Sequence, residues 1–179
     1  MRFIAFLRAI NVGGHTVTMA DLQRHFTALD LEEVETFIAS GNVVFRSSAR
    51  NAGALERRIE DHLRAVLGYE VKTFLRTEAE LAAIARYQPF TATQRRAAAA
   101  LNVGFLSGPL GASARKALMG LKTAIDDFHL HGRELYWICR KTQSKSTFTN
   151  VQFERLVQVR TTFRGVNTIA RLAAKYGLA

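Results

Sequence analysis

The sequence has a single cysteine, Cys139, and no long hydrophobic run. One thiol excludes an intramolecular disulfide and a cysteine-cluster metal site, and it fits a reducing compartment. No stretch approaches the roughly 20 apolar residues that a membrane-spanning helix needs. The apolar run at the N-terminus is interrupted by Arg8, and no small-residue cleavage site follows at a useful distance. We therefore expect a soluble cytoplasmic protein that does not use a membrane as a partner.

Several fingerprints of catalysis and cofactor binding are also missing. The glycines of the first loop form one adjacent pair, Gly13-Gly14, instead of the G-x-G-x-x-G pattern of dinucleotide-binding proteins. Neither G-x-x-x-x-G-K-[ST] nor G-x-S-x-G occurs. His129 and His131 have a spacing that suits a metal ion, but the sequence offers no evident third ligand. The sequence therefore indicates no cofactor and no metal, and it leaves open whether the protein is an enzyme.

Positive charge is present in excess, and it is concentrated in the second half of the chain. The 179 residues carry a net charge of +10. Residues 1–76 hold 10 Lys and Arg against 9 Asp and Glu, whereas residues 77–179 hold 15 against 6. Such asymmetry favours a nucleic acid or a phosphate-bearing small molecule as partner. A solvated basic face that keeps the protein soluble would give the same excess.

Hydrophobic periodicity predicts the element order β-α-β-β-α-β in residues 1–76. The predicted strands lie at 2–8, 33–39, 43–47 and 71–75, and the predicted helices lie at 19–30 and 52–67. Thr18 has the side chain of an N-cap residue, and Gly68 is suited to ending the second helix. This order is the ferredoxin-like pattern.

The second half repeats the pattern after a joining helix at 78–86. The predicted strands lie at 99–106, 126–132, 133–140 and 159–162, and the predicted helices lie at 113–121, 146–157 and 164–176. The sequence thus predicts an α+β protein of two ferredoxin-like halves, 1–76 and 77–179, with antiparallel sheets and a C-terminal helix. Identity between the halves is too low to prove an internal duplication.

Strand topology predicts that two small polar segments converge in the N-terminal half. In the β-α-β-β-α-β fold the end of the first strand meets the turn between the second and third strands. Two roles are possible for the residues of these two segments. Their polar groups form a cradle for an anion beside a helix N-terminus, or their glycines only supply the positive φ angles that tight connections need. The candidate ligand-binding residues of this region are Arg8, Asn11, Gly13, Gly14, Ser40, Gly41 and Asn42.

Two further candidates for anion binding lie in the basic half. The segment 161–172 predicts a helix capped by Thr161 or Thr162, with Arg164, Asn167 and Thr168 on one face of its first turns. Alternatively, this helix caps itself and clamps a neighbouring loop. The loop 141–146, which contains Lys145, is either a second anion site or a solvated loop.

The aromatic residues of the predicted strands do not favour recognition of RNA by stacking. Proteins of the RNA-recognition type expose aromatic side chains on one sheet face, and their signature motif is missing here. The predicted strands are apolar on both faces instead. We therefore expect the second face to pack against the other half or against a twin subunit in a homodimer.

Three motifs together resemble an uncharacterised bacterial family, domain of unknown function 1697. They are LRAINVGG at residues 7–14, TFIASGNVVF at 36–45 and TFRGVNT at 162–168. The chain departs from the usual residues of the family at three positions, with Ala9 for Gly, Phe37 for Tyr and Gly165 for Asn. The resemblance runs over nearly the whole chain and implies two ferredoxin-like halves, but it carries no established activity.

Three functions remain open at this point. The leading hypothesis is a protein that binds an anionic, phosphate-bearing ligand, with nucleic acid as the favoured class, through the basic half and the cleft between the halves. The second is a small-molecule enzyme that uses polar residues of that cleft, namely Arg8, Asn11, Ser40, Asn42, Arg164 and Asn167. The third is a structural oligomer in which the motifs clamp the halves together.

Overall fold

A computed structural model of the chain describes residues 1–11, 13–38 and 41–178. Within these residues the chain divides into two compact units, Met1–Ala82 and Ala83–Gly177. Each unit contains one four-stranded antiparallel sheet and the helices that cover it. The predicted fold class is confirmed, with a β-α-β-β-α-β pattern in both units and a helix at the C-terminus.

The N-terminal unit has the strand order β2-β3-β1-β4. Its elements are β1 (Arg2–Arg8), α1 (Met19–Thr27), β2 (Glu32–Thr36), β3 (Asn42–Arg46), α2 (Ala52–Leu67) and β4 (Lys72–Thr77). The next helix, α3 (Glu78–Arg86), contains the boundary between the two units. The Thr18 hydroxyl caps α1 by accepting the Asp21 N–H, and Gly68 ends α2 with a φ of 81°. The two local signals read from the sequence are therefore confirmed.

The N-terminal sheet is buried on both faces. Phe3, Ala5 and Leu7 belong to the core cluster that α1 and α2 complete with apolar side chains. Ile4 and Phe6, which alternate with them along β1, are fully buried as well. Continuous burial along a strand excludes an exposed aromatic platform on this sheet.

The C-terminal unit has the corresponding order β6-β7-β5-β8. Its elements are α4 (Ala92–Arg96), β5 (Ala100–Leu106), α5 (Ala112–Met119), β6 (Asp126–His131), β7 (Glu134–Cys139), a 3₁₀ turn (Gln143–Lys145), α6 (Asn150–Val157), β8 (Thr161–Gly165) and α7 (Val166–Lys175). The apolar side of α7, formed by Ile169, Leu172 and Ala173, is buried where the helix packs on the sheet. The aromatic side chains of β6 and β7 are also buried.

Two boundaries in the C-terminal unit correct the prediction. The final strand extends to Gly165, so the last helix begins at Val166 and not at Arg164. The reason is non-local, because Gly165 pairs with Asn102 of β5 and Arg164 pairs with Val103. In addition, α6 begins at Asn150, because the Thr149 side chain caps the helix by accepting the Gln152 N–H.

Candidate functional site

The loop after β1 and the turn before β3 are in contact, as the strand topology predicted. The Leu7 N–H donates to the Gly41 carbonyl over 2.8 Å. Gly41 has a φ of 72°, and a Cβ added there would lie only 2.9 Å from Ile10 Cγ2. Glycine is therefore required at position 41 for both conformation and space. Ser40 lies outside the described residues.

Asn11, Gly41 and Asn42 line one cavity of about 180 Å³ in the N-terminal unit. Its polar side chains bond within the loops themselves. Asn11 Oδ1 accepts from the Val17 N–H over 2.8 Å, and Asn42 Nδ2 donates to the Phe37 carbonyl over 2.9 Å. These contacts favour the alternative in which the motif residues brace the connections.

Backbone conformation explains the other glycines of this region. Gly13 and Gly14 have φ angles of 61° and 82° in the loop that follows β1. Ala9 and Ile38 also have positive φ angles, of 63° and 58°, although neither is a glycine. Such conformations are unfavourable for residues with a Cβ. Arg8 ends β1, where it pairs with Lys72 of β4 and is half-buried.

A larger cavity, of about 570 Å³, lies in the C-terminal unit. Three segments line it: residues 98–102 at the start of β5, Thr142 and Gln143 after β7, and residues 165–167 at the start of α7. Two of these segments come from the regions that the sequence marked as separate candidates for anion binding. Asn167 lines the cavity, and Thr168 follows as the third residue of α7.

Asn102 is the buried polar side chain of this cavity. It is 8% exposed, and its Nδ2 has no hydrogen-bond partner. A buried N–H donor without a partner costs about 1–3 kcal/mol. Asn102 Nδ2 is one of five buried side-chain atoms without a partner among the described residues, and of those five residues only Asn102 lines this cavity. The sequence shows Asn102 only as one polar residue within the apolar strand ALNVGFL, and our sequence reasoning did not select it.

The start of α7 adds backbone donors to the same cavity. Gly165 is the N-cap residue and makes no side-chain capping bond. The first N–H groups of a helix lack intrahelical partners and lie at the positive end of the helix dipole. Val166 and Asn167, the first two residues of the helix, line the cavity. This end of α7 therefore offers what an anion requires.

The side chains around this cavity are neutral or positive. None of the described lining residues is acidic. Lys145 is exposed in the 3₁₀ turn that begins with Gln143, and Lys141 is exposed just before it. Exposed cations in the segment that contains the lining residues Thr142 and Gln143 raise the local concentration of anions.

Arg164 does not occupy the position that the sequence predicted. It lies on β8 instead of in the first turn of a helix, and it is 8% exposed. Its Nη1 donates to Thr162 Oγ1 over 2.9 Å and to the Phe163 carbonyl over 2.8 Å. Burial lowers the pKa of Arg164 to about 10. Both partners are neighbours of Arg164 on β8, so these two contacts hold no neighbouring loop. Because Arg164 lies on the strand, it does not share a helix face with Asn167 and Thr168.

A cluster centred on Tyr87 escaped our sequence reasoning. The Tyr87 hydroxyl lies 2.8 Å from His129 Nε2, and the ring stacks on His131 with centroids 4.2 Å apart. Tyr87 and Tyr136 line a small apolar cavity of about 80 Å³. The spacing of His129 and His131 was visible in the sequence, but Tyr87 is more than 40 residues away and could not be connected to them.

Three further features are a possible metal site, the cysteine and the apolar content of the helices. The described residues contain no group of three or more His, Cys, Asp or Glu side chains that could hold a metal ion. Cys139 is buried and donates to the Lys141 carbonyl, and burial raises the pKa of its thiol, which suits an inert residue. Among the described helices, none has the length and apolar content needed to cross a membrane.

Comparisons with known proteins agree with the fold and name no activity. A family model described as "Protein of unknown function (DUF1697)" matches residues 1–136. A solved structure of a conserved bacterial protein from Streptococcus pneumoniae is similar over 97% of both chains, with a TM-score of 0.74 and 24% sequence identity. At that identity the likeness shows the fold alone. No curated protein matches the chain.

Proposed function

Since the chain belongs to the DUF1697 family, which carries no assigned activity, we propose from its geometry that the protein binds a phosphate-bearing small molecule at the start of α7. The observation that carries this proposal is the unpartnered Nδ2 of Asn102, a buried donor on a residue that lines the same cavity as the first residues of α7. A phosphate oxygen at this place would accept from the Asn102 amide and from the α7 N–H groups together.

The chemistry of the walls supports a phosphate over a neutral ligand. Backbone N–H groups at a helix start, a side-chain amide and the Gln143 amide are donors that bind phosphate oxygens without an added cation. The exposed Lys141 and Lys145, which flank the lining residues Thr142 and Gln143 in the chain, add long-range attraction. In contrast, Asn11 and Asn42 of the N-terminal cavity already bond to backbone groups of their own region, which favours the larger cavity as the site.

A pair of substitutions at Gly165 tests the proposal. Gly165 has an ordinary φ of −61°, and an added Cβ would meet only the Leu101 carbonyl at 4.0 Å. Asn and Asp both fit there and cap helices equally well. Gly165→Asp also places a negative charge where the phosphate would bind, whereas Gly165→Asn does not.

Isothermal titration with ribose 5-phosphate then separates the outcomes. We expect the parent protein to bind, Gly165→Asn to bind more weakly, and Gly165→Asp to lose a further tenfold or more, about 1.4 kcal/mol. Neutral ribose serves as the control ligand and should not bind. If the parent protein does not bind ribose 5-phosphate, or if the two variants bind it equally well, the proposal is wrong.

Nucleic acid is the other phosphate-bearing partner that a basic surface attracts. The buried aromatic residues of both sheets argue against stacking on bases, so contact would depend on exposed cations such as Lys141, Lys145 and Arg160. Binding of this kind is non-specific, with a Kd of about 10⁻⁴ to 10⁻⁶ M, and weakens steeply with salt. Neutralising these three residues should flatten the salt dependence. If neither DNA nor RNA, single- or double-stranded, shows a mobility shift at low salt, the nucleic-acid alternative is excluded and the small-ligand proposal stands.

A further inference from the structure

The apolar cavity lined by Tyr87 and Tyr136 is adjacent to the cavity at the start of α7. Leu101 of β5 and Val166 of α7 line both. Val166 is the first residue of the helix, so its N–H group belongs to the polar end while its side chain contributes to the apolar wall. A molecule that binds a phosphate at the N–H groups would have its next part beside the apolar cavity.

The walls of the apolar cavity suit a flat ring. Tyr87 and Tyr136 have centroids 5.2 Å apart and tilted planes, and Phe90 lies in the same wall. Aromatic side chains contact planar rings by stacked or edge-to-face packing. The contacts of Tyr87 with His129 and His131 hold its ring in place, so this part of the wall is organised before a ligand arrives.

The polar groups around this cavity are few. Gln88 and Arg95 line it among otherwise apolar or aromatic side chains. Arg95 Nη1 donates to the Phe90 carbonyl over 2.6 Å, which fixes the guanidinium beside the cavity. The Gln88 amide carries both donors and an acceptor, which is what the edge of a nucleobase pairs with. A mostly apolar cavity with a few fixed polar groups is typical of small-molecule sites.

The volume of the cavity favours a single ring over a fused double ring in the ligand. Its volume is about 80 Å³, and an apolar cavity that holds one benzene measures about 150 Å³. A single six-membered ring can insert in part, whereas a fused double ring would remain mostly outside. We infer that the ligand of this protein is a phosphate ester that carries one planar ring, a molecule of the pyrimidine mononucleotide class, with the ring in the Tyr87–Tyr136 cavity. This inference rests on the proposed phosphate site.

A series of three ligands tests the inference by isothermal titration. Uridine 5′-monophosphate carries both parts, ribose 5-phosphate lacks the ring, and uridine lacks the phosphate. We expect uridine 5′-monophosphate to bind at least about tenfold more tightly than either of the others. Equal binding of uridine 5′-monophosphate and ribose 5-phosphate would overturn the inference and leave the phosphate site intact. Binding of uridine alone, unaffected by the phosphate, would instead overturn the proposed function.

A matched pair of substitutions on α3 locates the ring. Ala85 lines the apolar cavity, whereas Ala83 is exposed on the same helix and lines none of the cavities described above. Ala85→Leu should bring the affinity for uridine 5′-monophosphate down to that for ribose 5-phosphate, and Ala83→Leu should leave both unchanged. Equal loss of both ligands in Ala85→Leu, or no loss in either, contradicts the inference. The ligand series needs no variant, so it decides the question even if Ala85→Leu fails to fold.

Discussion

Asn102 and Gly165 pair across β5 and β8, so the buried amide lies beside the residue at which the last strand becomes the last helix. One side of this pair supplies a donor with no partner, and the other supplies a helix start with no side-chain cap. Both leave donors without partners in the isolated protein, and under the proposed function one bound anion would satisfy both. This coincidence is the physical basis of the proposed phosphate site.

Replacing Asn102 by leucine should separate stability from binding. Asn102→Leu removes the unpartnered donor and keeps a side chain of similar size, so we expect the melting temperature to stay the same or rise. Affinity for ribose 5-phosphate should fall by tenfold or more. Calorimetric melting and titration of the same sample check both results. A variant that melts far lower and binds normally would show that Asn102 serves the fold and not a ligand.

Replacing Arg164 by lysine should weaken the fold. The substitution keeps the charge but loses the planar guanidinium that donates to Thr162 and Phe163. Because these bonds are buried, we expect a loss of roughly 1.5–3 kcal/mol in the free energy of unfolding. Urea denaturation measures the loss, and Arg171→Lys on the exposed side of α7 is the control, with an effect below about 0.5 kcal/mol. Equal stability of the two variants would show that the guanidinium contacts of Arg164 add nothing measurable to the stability of the fold.

Much of the fold was accessible from the sequence because its signals are local. Thr18, Gly68 and the glycine-containing turns mark where elements begin and end, and hydrophobic periodicity marks their faces. Strand order alone predicted that the loop after β1 converges with the turn before β3, and Asn11 of that loop lines one cavity with Gly41 and Asn42.

The boundary at Arg164 could not be read in the same way. Residues 161–165 form a strand because they pair with β5, about 60 residues earlier in the chain, and nothing local shows that pairing. For the same reason the sequence showed Asn102 as polar but not as unpartnered. It also showed 141–146 and 161–168 as two separate candidates, although residues from both segments line one cavity.

Replacing Ala9 by glycine should stabilise the N-terminal unit. Ala9 has a φ of 63°, a conformation that costs an L-residue about 1–2 kcal/mol and glycine little. After the larger entropy of glycine in the unfolded chain is subtracted, we expect a gain of about 0.5–1 kcal/mol. The resemblance to a family with glycine at this position agrees with that expectation. Ala28→Gly is the control, because Ala28 has a φ of −64°, and this variant should lose stability in the same urea titration.

Acid should destabilise the C-terminal unit through His129. Burial, followed by the charges of His131 and Lys122, lowers the pKa of His129 below 6.5, and Asp127 opposes this effect. The neutral imidazole is therefore favoured by folding, so its contribution is present above pH 6.5 and is lost as the pH falls through the lowered pKa. His129→Gln keeps an acceptor for the Tyr87 hydroxyl but cannot be protonated.

Melting temperatures between pH 7.5 and 5 check this prediction. We expect a smaller decrease in His129→Gln than in the parent protein. Some decrease should remain, because burial and the charge of His62 also lower the pKa of His25. Identical curves for the two proteins would show that His129 does not contribute.

Phosphate binding at the start of α7 is tested most directly by a ¹H–¹⁵N correlation spectrum of the parent protein titrated with ribose 5-phosphate. If phosphate binds at the start of α7, the largest shifts should occur in the backbone amides of Val166 and Asn167 and in the side-chain amide of Asn102. The loop that contains Asn11 and Gly14 should not respond. The proposed site is wrong if the spectrum stays unchanged at millimolar ligand. It is also wrong if the shifts cluster around Asn11 and the amides of α7 do not shift.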